Sequence, residues 1–183
     1  AIGSLKGPKH GGANAMVCAM LKEIKENVKD WSNENEVREY ISKILRKEAF
    51  DGTGLVYGIG HAIYTNSDPR AVLLKKKAKE LASEKNALDE FNLMDMIERV
   101  TPELMREIRN IDKPMCANID FYSGFVYQLL NIPEELYTPL FAMARVVGWC
   151  AHILEENITG GRIIRPAYKS ISKRSEYTPL NQR

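Results

Sequence analysis

Apolar residues recur at intervals of three and four along most of this chain, which commits it to a fold of amphipathic helices. Met16, Val17, Met20, Leu21, Ile24 and Val28 mark one such face over residues 15–27. Val37, Tyr40, Ile41, Ile44 and Leu45 mark a second, with Asn33 as expected cap and Glu36 three residues on, as in a capping box. Asp68-Pro69 predicts the start of a third helix, since Asp suits the cap and Pro the first turn. Another helical stretch covers residues 88–110, with a break expected at Thr101-Pro102. Ser123 is the expected cap of a helix ending near Asn131. Ile132-Pro133 then opens a long apolar helix to about Asn157, with Pro139 as a kink or break.

Two segments lack the helical period. Residues 50–66, rich in Gly and β-branched side chains, read as an extended loop or short β-ribbon, and residues 111–122 form the second segment. Thr159-Gly160-Gly161 ends the last helix ahead of a polar tail. The expected class is all-α and multi-helical, with the chemistry-bearing residues on loops between helices.

Composition removes several function classes. The 183 residues are 44% hydrophobic and 27% charged, as in soluble globular proteins. A net charge of +2 gives no case for nucleic acid, and the run Lys75-Lys76-Lys77 reads as a solvated helix face. Cys18, Cys116 and Cys150 have no metal-ligand spacing. No metal site and no disulfide framework are expected, and a reducing, cytoplasmic setting is. No apolar run reaches about 18 residues, so no membrane span is expected, and the first residues read as no signal peptide.

Each histidine has a bland and a chemical reading. His10 lies in Lys6-Gly7-Pro8-Lys9-His10-Gly11-Gly12 and His61 in Gly58-Ile59-Gly60-His61, both Gly-rich loops that let a ligand approach the backbone. His152, inside a helix, reads as structural. Asp120 is an acid among apolar residues at a helix entrance, either a cap or a tuned base. Arg145 is a lone cation in an apolar helix with no acid three or four positions away, so an anionic partner from elsewhere is expected. Two histidines, an acid and isolated arginines suit carbanion chemistry on a polycarboxylate: a base takes a proton beside a carbonyl, a histidine stabilises the enolate and arginines hold carboxylates.

Taken in order, Gly7-Pro8-Lys9-His10-Gly11-Gly12-Ala13-Asn14, Gly58-Ile59-Gly60-His61-Ala62-Ile63-Tyr64, Asp68-Pro69-Arg70, Asn118-Ile119-Asp120-Phe121-Tyr122-Ser123-Gly124 and Arg162-Ile163-Ile164-Arg165-Pro166 resemble the motifs of citrate synthases. The resemblance covers essentially the whole chain and implies a carboxyl-terminal portion of that family's fold. Residues 1–11 would be a large-domain remnant with a catalytic loop, 12–121 a small domain, and 122–183 helices returning to the large domain. By resemblance His10 would hydrogen-bond the acetyl-CoA carbonyl, Asp120 would take the methyl proton, and His61 would polarise the oxaloacetate ketone. Arg70 and Arg145 would clamp oxaloacetate and citrate carboxylates, and Arg165 would reach the partner's site in a homodimer. Leu55, Val56, Gly58, Ile59, Gly60 and Asn118 match CoA-binding positions. Acetyl-CoA would be a co-substrate, with no resident cofactor.

Two departures from the family pattern stand out. Thr65 replaces a cation that many relatives place near the CoA phosphates, leaving Lys75 and Lys113 as substitutes. Members are also longer, with a further substrate-binding histidine upstream, so the isolated chain is expected to be inactive. The competing expectations are a 2-methylcitrate synthase that uses propionyl-CoA, and a non-catalytic CoA-binding or assembly module.

Overall fold

The computed structural model describes residues 2–5, 12–162 and 178–182. Seven α-helices follow in order among them: α1 (Ile2–Leu5), α2 (Ala13–Asn27), α3 (Glu34–Leu45), α4 (Pro69–Glu84), α5 (Leu88–Arg109), α6 (Ile119–Leu129) and α7 (Tyr137–Thr159). No strand occurs among the described residues, and the all-α expectation holds. The 50–66 segment is a chain of turns with one isolated antiparallel bridge, Ile59 to Ala117, in place of a ribbon. The chain divides into two compact units, Ala1–Val146 and Val147–Arg183. No described helix is long and apolar enough to cross a membrane.

The predicted faces of α2 and α3 enter the core of the first unit, joined by residues of α5 and by Phe121 and Tyr122, which fall in the segment expected to be non-helical but form the first turn of α6. Val17, Met20 and Ile24 of α2, Val37, Ile41 and Ile44 of α3, Ile97 and Val100 of α5, and Phe121 and Tyr122 of α6 are all withdrawn from solvent into one cluster. Each such burial contributes about 1.5–3 kcal/mol. α4 turns Ala78 and Ala82 toward this cluster, so its backbone can approach closely.

Local signals and tertiary packing disagree at four places. Pro102 does not break α5, which runs through it. An interior proline costs about 3 kcal/mol, and its buried neighbours Val100, Thr101, Leu104 and Met105 offset that by packing. Asn118, not Ser123, caps α6: its side chain accepts the Asp120 N–H, so the helix starts at Ile119. Asn33 caps α3 as expected, but Glu36 turns back to the Lys29 and Asp30 amides instead of closing a reciprocal box. Pro139 lies in the first turn of α7, where its missing N–H would have had no helical partner, so it makes no break.

Candidate functional site

The bridge between the two non-helical segments builds the site. Asn118 donates its backbone N–H to the Gly58 carbonyl at 2.8 Å, and Gly60 donates its own to the Cys116 carbonyl at 2.8 Å. The Asn118 amide then staples both sides. Its Nδ2 donates to the Gly60 carbonyl at 2.9 Å while its Oδ1 accepts from Asp120 N. Gly58 has φ +82°, and a Cβ there would lie 2.9 Å from the Phe121 Cα, so only glycine allows this approach. The loop bearing His61 is thereby fixed beside the first turn of α6, which bears Asp120.

His61, Arg70, Asn118, Asp120 and Arg145 line one cleft of about 690 Å³, together with Tyr57 and Phe141. The His61 Nδ1 accepts from the backbone N–H groups of Ile63 and Tyr64, both at 3.1 Å. With that nitrogen filled by two donors, the proton of the neutral ring sits on Nε2, which makes Nε2 a donor. The Tyr64 ring lies between two site residues: its centroid is 5.0 Å from that of His61 and 5.1 Å from the Arg70 guanidinium carbon. Arg70 donates through Nε and one Nη to the two oxygens of Asp68, at 3.0 and 2.8 Å. This pair uses one edge of the guanidinium and leaves the other for a second carboxylate. Arg70 holds the Asp68 carboxyl below its ordinary range, and Asp68 in turn raises Arg70, with a smaller push from Asp120.

Arg145 is half-buried, not sunk in an apolar interior, and it stacks on Phe141 with its guanidinium carbon 4.0 Å from the ring centroid. It makes no ion pair among the described residues. Of the expected CoA positions, Val56 is buried and Leu55 exposed, and both amide ends of Asn118 are engaged within the protein. Lys75 is unavailable to a phosphate because Asp95 and Glu98 hold it against the Tyr122 ring. Lys113 is exposed. His152 is solvent-exposed in α7, 3.7 Å from Glu155. Cys18 is buried, and that burial pushes its thiol up to about 11, whereas Cys150 is exposed. His10 and Arg165 lie outside the described residues. Sequence reasoning missed Tyr64 and the second task of Asp68. The Asp-Pro-Arg spacing, which puts the arginine two residues past the cap, was the available signal for Asp68.

The family model for the citrate synthase C-terminal domain matches residues 1–167. A citrate synthase of Synechocystis sp. is 38% identical over 184 aligned residues, covering all of this chain and 42% of that protein. Citrate synthase 2 of Bacillus subtilis is also 38% identical, with 44% of its length covered. Among solved structures, the citrate synthase of Thermotoga maritima superposes with a TM-score of 0.69 at 34% identity, covering 99% of this chain and 45% of that one. The citrate synthase of Thermoplasma acidophilum, solved as a ternary complex with carboxymethyl coenzyme A and oxaloacetate, gives 0.65 at 30% identity, covering 98% and 44%. The chain spans less than half the length of these relatives. On the family match and these identities, the chain belongs to the citrate synthase family.

Proposed function

We propose that this chain supplies much of a site that condenses acetyl-CoA with oxaloacetate and hydrolyses the citryl-CoA formed to citrate and CoA. The observation that carries the reading is the meeting of His61, Arg70, Asp120 and Arg145 in one cleft. Asp120 takes a proton from the acetyl methyl group, and His10 hydrogen-bonds the thioester oxygen as it becomes an enolate. The enolate carbon then bonds to the ketone carbon of oxaloacetate, whose oxygen receives the His61 Nε2 proton. Water cleaves the thioester and releases CoA. Arg70 and Arg145 hold the carboxylates, and Arg165 reaches the second site of a homodimer. CoA lies along residues 55–60 and enters as co-substrate, so the chemistry invokes no bound cofactor. Residues 12–121 form the small domain and 122–183 return to the large one.

The test is citrate formation by the intact protein with acetyl-CoA, with propionyl-CoA as the competing substrate. Turnover with acetyl-CoA is expected, and Asp120→Asn should lower kcat by about 10²–10⁴-fold with oxaloacetate affinity nearly unchanged. A preference for propionyl-CoA assigns a 2-methylcitrate synthase instead. CoA binding without turnover assigns a binding module.

A further inference from the structure

The motifs that carry His10 and Asp120 also hold Asn14, Ser123 and Gly124, to which the reaction chemistry gives no task. The structure joins the three. Asn14, the second residue of α2, donates from Nδ2 to the Ser123 Oγ on α6. The Ser123 hydroxyl donates to the Asp120 carbonyl at 3.4 Å. The Cys18 thiol, one turn along α2, approaches the Asn14 Oδ1 at 3.9 Å. Donors and acceptors run in one direction from Cys18 to the Asp120 peptide, and no member competes with another. Gly124 makes the approach possible, because a Cβ there would collide with the Cys18 sulfur and sit 3.1 Å from the Asn14 Oδ1.

We propose that Asn14 and Ser123 are positioning residues, whose hydrogen bond clamps the N-terminus of α2 to the first turns of α6 and so sets the Asp120 carboxylate in the cleft. The inference rests on the reading of Asp120 as the base. Both residues line the cleft, yet both ends of the Asn14 amide and the Ser123 hydroxyl are engaged within the protein, which makes them scaffold and not ligands. Proton abstraction is sensitive to such placement: an error of about 1 Å costs on the order of 10²-fold in rate.

Ser123→Ala and Asn14→Ala are compared with the unsubstituted intact protein for citrate formation, oxaloacetate affinity and thermal melting. Each should lower kcat by roughly 10–100-fold with the KM for oxaloacetate unchanged, and the double variant should be no worse than the poorer single one. In an Asp120→Asn background Ser123→Ala should cause no further loss, a result that mere loosening of the fold would not give. An unchanged kcat, or a parallel loss of kcat and oxaloacetate affinity, overturns the proposal. Should Asn14→Ala fail to fold, Ser123→Ala decides alone, since it removes a single oxygen. If the unsubstituted protein makes no citrate, the proposed function fails, and the clamp is then judged by amide hydrogen exchange. Faster exchange in the first turn of α6 of Ser123→Ala supports it, and unchanged exchange overturns it.

Discussion

Arg70 and Arg145 face the same cleft, but the fold supports them differently. Arg70 is oriented by Asp68, which is only 1% exposed, through two hydrogen bonds. Arg145 has a ring face and no described ion pair. Arg145→Leu is therefore expected to weaken oxaloacetate binding by about 1.5–3 kcal/mol, the worth of hydrogen bonds to a charged group, while leaving the melt nearly unmoved. Arg145→Lys should recover part of the affinity, because an ammonium lacks the planar fork. Calorimetric titration with oxaloacetate alongside thermal melts checks both, and a large drop in melting temperature for the Leu variant would make Arg145 a structural residue. Asp68 has a pH signature. Its carboxyl is depressed when folded, first by the Arg70 hydrogen bond, so its stabilisation is complete above the ordinary carboxylate value near pH 4. That stabilisation is lost as pH falls through the lower folded value. Asp68→Asn keeps a cap acceptor but not the charge. Its melt should lie below that of the unsubstituted chain at pH 6, and the gap should narrow as pH falls below about 4. A gap that does not change with pH would remove the charge from the explanation.

At the scale of elements, the site depends on two loops meeting. Gly58 is the point where residue chemistry becomes element geometry. Its positive φ and its contact with the Phe121 backbone bring residues 58–60 against residues 116–118. Gly58→Ala combines left-handed strain with a clash that backbone cannot relieve cheaply, so a loss of about 1–3 kcal/mol is expected. Denaturant unfolding measures it. A variant as stable as the parent would mean that the loop pairing yields without cost. Tyr122 serves the same assembly from below, as its hydroxyl donates to Glu98 at 2.5 Å, and Glu98 also holds Lys75. α4, α5 and α6 are tied by that group, which explains why Lys75 is spent on the fold.

At the scale of the whole molecule, α7 leaves large apolar side chains open, with Val147 77% and Ile158 83% exposed. The chain also spans only 42% of its Synechocystis relative. The chain on its own is therefore expected to form citrate far more slowly than roughly 1 per second, the low end of ordinary turnover. Citrate release by the purified chain tests this, and a rate at or above that value would show that the described cleft suffices. What the sequence determined by itself was local or compositional: the helical periods, the Asn33 and Asp68 caps, the all-α class, and the ordered motifs that name the family. These are legible because caps and amphipathic faces involve residues within a few positions of one another. Only the tertiary structure decided that Pro102 stays inside α5, that Asn118 caps α6 five residues before the expected cap Ser123, and that Arg145 rests on Phe141. It alone also brought His61 to Asp120, because the hydrogen bonds that join their loops link residues 56 to 60 apart in sequence. Their partners are set by packing that no local pattern encodes.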